Sequence, residues 1–259
     1  MSTKPSPQLR NIKLLIGYDG TDYSGWQRQK HDRTIQGEIE NRLAVMTTEE
    51  ISLHGAGRTD AGVHAEGMVA HFLTGSSISC AAFVRGLNAM LPGAIRIYRA
   101  EEAGPSFHAR FSAIGKQYQY SVFTGKVHPP HLRLYTLHVT SPLNFNAMHE
   151  CLTLLEGTHD FSSFENSGSR DKDDCSGRGA MRTIYRAAIH MQTPELFAFQ
   201  FTGDGFLRNM IRNLVGTLLA AGRRSITSEG FAGILQAKDR TMAGPTAPAH
   251  GLQLNKVLY

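Results

Sequence analysis

The sequence has only three cysteines, Cys80, Cys151 and Cys175, and no C-x-x-C pair. An odd, scattered set supplies neither a disulfide framework nor a structural zinc site, and it fits a reducing, cytoplasmic setting. No apolar run approaches the length needed to span a bilayer. Met1–Gln8 is polar and rich in Ser and Pro, with no hydrophobic stretch of the kind a secretory signal needs, and residues 1–10 read as a disordered lead. Nucleotide cradles are missing as well. Gly115-Lys116 is followed by Gln117 and has Arg110 where a P-loop requires glycine, and the glycines between 55 and 62 do not spell G-x-G-x-x-G. His54 and His64 lack the tight spacing of metal ligands, so no metal centre is expected.

Apolar residues make up 41% of the chain and charged residues 19%, which describes a globular protein rather than a disordered one. With 259 residues there is room for one large or two modest domains, each with a real core. The net charge of +5 is compatible with a phosphate-rich partner but does not demand one.

Hydrophobic periodicity organises the chain into two mixed stretches. In the first, Asn11–Gly17 alternates as a strand and ends in an Asp-Gly turn. Thr34 caps a helix carrying Ile35, Ile39, Leu43 and Met46; a strand covers Met68–Phe72; a helix covers Ala81–Leu91 and stops at Pro92-Gly93; Ile95–Tyr98 is a strand. In the second, strands are expected at Gln117–Phe123, Thr183–His190, Glu195–Thr202 and Leu252–Leu258. Helices are expected at Asn144–Glu156, Phe206–Ala221 and Ser228–Ala237, and Arg170–Gly179 reads as an exposed polar loop. Few helices separate the strands, which favours an α+β fold with antiparallel pairing over a doubly wound parallel sheet. The two stretches, 11–110 and 111–259, share an element order without any repeat at residue level.

The most informative segment is Gly55-Ala56-Gly57-Arg58-Thr59-Asp60-Ala61-Gly62-Val63-His64-Ala65. From composition alone, a glycine-rich loop with an aspartate is as a rule a turn. The functional reading is a backbone that bends sharply around one carboxylate, Asp60, with a cation, Arg58, two residues away. A carboxylate can act as base, metal ligand or nucleophile, and a neighbouring guanidinium favours the ionised acid and can dock phosphate. Tyr118 and Tyr120 share a strand face, an arrangement that serves cross-strand packing or the stacking of an extruded base. Arg208 and Arg212, four apart, are expected on one face of the long helix, either as a solvated basic face or as partners of a buried acid and of phosphates. Phe107–Ala113 adds two aromatics around basic residues.

Six ordered blocks carry a resemblance. They are Gly25-Trp26-Gln27 with Thr34–Gly37, the 55–65 loop, Gly86-Leu87-Asn88 with Leu91-Pro92, Phe107–Ala113 with Lys116–Tyr120, Gly205-Phe206-Leu207 with Met210–Asn213, and Ala243–Leu252. Together they resemble the TruA-type family of tRNA pseudouridine synthases from about residue 11 to the end. That resemblance implies two similar α/β halves forming a largely antiparallel sheet, with helices packed on it and a central basic cleft. It also implies a homodimer that works without metal or cofactor. The activity implied is isomerisation of uridine to pseudouridine in the tRNA anticodon stem-loop, at positions 38, 39 and 40. Asp60 matches the family's catalytic aspartate, Tyr118 the tyrosine that stacks on the target base, Arg212 the arginine that pairs with the aspartate, and Arg58 an arginine that helps to open and hold the RNA. The alternative is a tRNA-binding module or RNA chaperone whose activity is lost or secondary. The chain departs from the family's pattern at Arg208-Asn209, a pair often occupied by histidines, and in the length of the 170–179 loop.

Overall fold

Alternating aliphatic residues make the first strand two-faced: β1 (Arg10–Tyr18) buries Ile12, Leu14 and Ile16 completely, while Lys13 and Leu15 point the other way. The computed structural model describes residues 9–166, 168 and 178–259. It divides into two compact units, one of residues up to Ile114 together with Leu254–Tyr259, the other Gly115–Gln253. β1 starts at Arg10, inside the stretch expected to be a lead.

The first unit continues with α1 (Ile35–Thr47), β2 (His54–Gly55), β3 (His64–Thr74), α2 (Cys80–Met90) and β4 (Ile95–Ala103). β1 lies between β3 and β4 and is antiparallel to both; the register sets Ile12 beside Phe72, Leu14 beside Ala70 and Ile16 beside Met68. β2 is antiparallel to β3. The side-chain hydroxyl of Thr34 accepts from the Gly37 N–H, and Ser79 does the same for Ala82, so both helices start where the capping residues stand. Ile39, Leu43, Phe83 and Leu87 form the buried helix faces, and Phe72 meets Phe83 edge-on at 5.4 Å. Burying each of these large side chains contributes about 1.5–3 kcal/mol relative to leaving it in water.

The second unit contains β5 (Gly115–Phe123), β6 (Leu137–His138), α3 (Phe145–Thr153), β7 (Gly157–Asp160), β8 (Met181–Thr193), β9 (Leu196–Gly203), α4 (Met210–Gly222) and α5 (Ser228–Ala237). Its strands run in the order β5-β9-β8-β7, all antiparallel, with β6 parallel to the end of β5. Phe197, Phe199 and Phe201 are fully buried and pair in register with Val122, Tyr120 and Tyr118. The last strand, β10 (Leu252–Leu258), lies beside β3 in the first unit's sheet from Leu254 onward. The fold is thus α+β with antiparallel pairing, as the element pattern implies. No helix among the described residues is long and apolar enough to cross a membrane.

Two helices are shorter than their periodicity suggests. α3 stops at Thr153 because the chain must turn into β7, which it does at Gly157 with φ +102°. α4 starts at Met210 rather than near Phe206. Asn209 takes a left-handed φ of +60°, its side chain donates to Asn166 Oδ1 at 2.9 Å, and the Arg208 carbonyl accepts from the Asn166 N–H. These bonds replace the first helical turn, so exposed Arg208 precedes the helix and does not share a helix face with Arg212. Of Arg170–Gly179, only Arg178 and Gly179 fall within the described residues, in a turn.

Candidate active site

In the first unit the Gly55–Ala65 segment is clamped by the stretch that follows β1. The Trp26 N–H donates to the Thr59 carbonyl at 3.1 Å, and the Thr59 hydroxyl shares a 2.8 Å hydrogen bond with the Tyr18 hydroxyl. The Ala56 N–H donates to Val69 O at 2.8 Å and ties the loop's entry to β3. Asp60 then sits at the first position of a tight turn, with the Val63 N–H donating to its carbonyl at 3.2 Å. Gly62 has a φ of +77°, the value the third position of such a turn needs when its second peptide flips. Gly25 has a φ of +91°, and a Cβ there would collide with the backbone of Thr59 and Asp60. The half-buried Asp60 carboxylate is therefore carried on a backbone fixed on both sides by main-chain bonds.

Arg58, exposed, is steadied by a polar relay. Its Nε donates to Gln27 Oε1 at 3.2 Å; Gln27 Nε2 donates to Gln36 Oε1 at 2.9 Å; Gln36 Nε2 donates to buried Glu40 at 2.9 Å. Glu40 in turn accepts from the Leu53 N–H at 2.9 Å and pairs with Arg28 at 3.2 Å. The relay orients a guanidinium that faces water, which suits it to meet an anionic polymer.

In the second unit the two tyrosines separate. Tyr118, 8% exposed, meets Phe206 edge-on at 5.3 Å. Tyr120 is completely buried and donates its hydroxyl to the Pro248 carbonyl at 2.8 Å. Burial pushes the Tyr120 phenol well above its usual range, and the nearby Arg212 guanidinium works against that rise. Arg212, half-buried on the first turn of α4, donates from Nε to Ala247 O at 2.7 Å and from Nη1 to Asn209 Oδ1 at 3.0 Å, while the Ala247 N–H returns a bond to Arg212 O. The guanidinium is thus aimed by a strap, residues 243–251, laid along α4.

The strap is bolted down at several points. Asn213, with no exposure, accepts from Thr246 Oγ1 at 2.6 Å and from Arg240 at 3.0 Å, and donates to Phe164 O at 2.8 Å. The Gly244 N–H donates to Thr217 Oγ1 at 2.9 Å, and a Cβ at Gly216 would strike the Pro245 carbonyl. Tyr120 is therefore a positioning residue for the strap and, through it, for Arg212. Tyr120→Phe removes the one buried hydrogen bond that ties this strand to the strap at the Pro248 carbonyl. It is expected to cost about 1–2 kcal/mol of stability and to lower kcat several-fold with KM unchanged. Thermal melts and steady-state kinetics on one preparation check both parts.

Sequence reasoning singled out Asp60, Arg58, Tyr118 and Arg212. It counted Gly25-Trp26-Gln27, Thr34–Gly37 and Ala243–Leu252 among the blocks of the resemblance but gave them no role, and so missed the clamp by Gly25 and Trp26, the Gln27–Gln36–Glu40 relay, Tyr120's bond and the bracing by the strap. The signal for the strap was faint: small residues on α4, such as Gly216, opposite a Gly-Pro-Thr-Ala-Pro run without periodicity. No group of three or more His, Cys, Asp or Glu side chains able to hold a metal ion occurs among the described residues.

The first unit thus carries Asp60 and Arg58 on one loop, and the second carries Tyr118 and Arg212. Comparison with known proteins gives the family. The family described as tRNA pseudouridine synthase matches residues 15–112 and 152–259. A tRNA pseudouridine synthase A from Desulfotalea psychrophila is 58% identical over 251 residues, covering 97% of this chain and all of the relative. Proteins of the same name from Geobacillus sp. and Acetivibrio thermocellus are 45% and 42% identical, with 96% and 97% of this chain covered and 98% and 100% of the relatives. The chain belongs to the tRNA pseudouridine synthase family.

Proposed function

We propose that the protein isomerises uridine to pseudouridine at positions 38, 39 and 40 of the tRNA anticodon stem-loop, with Asp60 as the reacting carboxylate. The observation that carries this reading is the clamped loop: main-chain bonds from Trp26 and to Val69 hold Asp60 in one place, within a chain whose family makes pseudouridine in tRNA. The resemblance also implies a homodimer acting in the cytoplasm.

The reaction breaks the bond between the sugar's anomeric carbon and N1 of uracil and forms one from that carbon to C5. The proton on C5 leaves to solvent and N1 gains one, so substrate and product are isomers and no net electrons are exchanged. Asp60 serves either by attacking the anomeric carbon or by removing the 2′-proton to give a glycal; an adduct at carbon 6 is the third route. In each case the detached uracil must turn while enclosed. In this reading Tyr118 supports the base, Arg58 holds the opened stem-loop, and Arg212 is the arginine that the resemblance implies pairs with the aspartate.

The direct test uses a tRNA transcript carrying tritium at C5 of uridine. Release of tritium by the wild-type protein supports the reading, and tight tRNA binding with no release would instead favour a binding module. Tyr118→Ala is expected to reduce kcat/KM by the worth of one base–aromatic contact, about 1–3 kcal/mol, while Tyr118→Phe keeps the stacking face and loses only the hydroxyl's share. Equal kcat/KM for wild type and Tyr118→Ala would remove this ring from the site.

A further inference from the structure

Outside the residues given roles above, the first unit carries a column of rings that ends in solvent. His71, 5% exposed, accepts at Nδ1 from the Ala109 N–H and lies 4.6 Å from His108; His54 lies 5.2 Å from His71. His108 lies 4.3 Å from Phe111, with the rings tilted by 32°. Phe111 ends the column and is 76% exposed, with the Arg110 guanidinium 5.7 Å over its ring.

The loop that presents Phe111 is closed on itself. His108 Nδ1 accepts from the N–H groups of Arg110 and Phe111, the Ser112 hydroxyl accepts from the His108 N–H at 3.0 Å, and the Ser112 N–H returns to the His108 carbonyl. Burial pushes the His71 imidazole down to about 4, helped by His108 and His54, and burial lowers His108 as well. Both rings therefore stay neutral near pH 7, and they meet edge-on, at an interplanar angle of 65°.

A single exposed apolar side chain is ordinary on a protein surface. Phe111 differs because it is braced from beneath by an imidazole and flanked by a guanidinium. So exposed a ring adds little to the core, and one flat face is too small for a protein interface of useful size. A flat aromatic face beside a guanidinium fits one ligand chemistry well, the π-face of an unpaired base with its phosphate close by.

We propose that Phe111, braced by His108 and flanked by Arg110, is a stacking site for an unpaired base of the substrate RNA other than the uridine being isomerised. This rests on the reading that tRNA is the substrate. The site adds affinity and register, not chemistry.

The test is tRNA-transcript binding at one fixed salt concentration for wild type, Phe111→Ala and Phe111→Trp. Phe111→Ala is expected to raise Kd by about 5- to 150-fold, the range that base–aromatic stacking carries. Its thermal melt should match wild type, because the ring is exposed. Phe111→Trp is expected to bind like wild type, and its introduced indole should lose emission on RNA binding, read as the difference from wild type, which contains only the buried Trp26. Unchanged binding by Phe111→Ala, or emission unaffected by RNA, overturns the stacking site. So would a change of oligomeric state in Phe111→Ala with RNA affinity intact, which would mark a protein contact. Any of these results leaves the proposed activity standing, whereas absence of tritium release by the wild type would sink the activity without touching this binding comparison.

Discussion

Asp60→Asn is expected to abolish pseudouridine formation while leaving the fold and tRNA binding almost unchanged. Asparagine has the same shape, and the loop is held by main-chain bonds, Trp26 N–H to Thr59 O and Val63 N–H to Asp60 O, that do not involve the carboxylate. The amide cannot attack the anomeric carbon as an anion and is no base, so every route that uses this carboxylate fails. Removal of a nucleophile or its base elsewhere costs about 10⁴- to 10⁶-fold in turnover, and a loss of that order is the expectation here. Single-turnover tritium release, paired with filter binding of the same tRNA, separates chemistry from affinity. A modest loss of rate, or a rate loss that tracks weaker binding, would show that Asp60 shapes the loop and does not react.

Arg212 is expected to give the second large effect. Its Nε and Nη1 are committed to Ala247 O and Asn209 Oδ1, and its own carbonyl accepts from Ala247, so the guanidinium is held in one orientation. A preorganised charge of this kind is worth most where charge develops in a site shielded from water. Arg212→Gln is expected to lower kcat by about 10²- to 10³-fold, the cost of removing one such stabilising group. Arg212→Lys restores the charge but cannot make the forked bonds, so it should recover only part of the loss. Full recovery by lysine would show that charge alone matters and that the strap has no part in aiming it. Kinetics of both variants at saturating tRNA decide this.

Elements with strong periodicity and standard caps were legible in the sequence. α5 runs from Ser228 to Ala237 and β10 from Leu252 to Leu258, as the pattern implies, and Thr34 caps α1. The start of α4 was not legible, because Asn209's left-handed turn depends on Asn166, a residue distant in sequence. β2, β6 and β7 are two to four residues long, too short for any period to show. Tyr118 and Tyr120 look alike as strand residues, and only Pro248, far along the chain, distinguishes the structural hydroxyl of Tyr120. The candidate acid itself was visible, since glycines at fixed offsets around Asp60 are a local signal. The clamp and the strap that brace the site are long-range packing, which local pattern does not encode.

The central claim is that Asp60 carries out the isomerisation of anticodon-stem uridines. It is tested most directly by mapping pseudouridine, nucleotide by nucleotide, on tRNA transcripts treated with wild-type protein or with Asp60→Asn. The account predicts pseudouridine at positions 38 to 40 with the wild type and none with the variant. Pseudouridine at those positions with Asp60→Asn at the wild-type rate would contradict it.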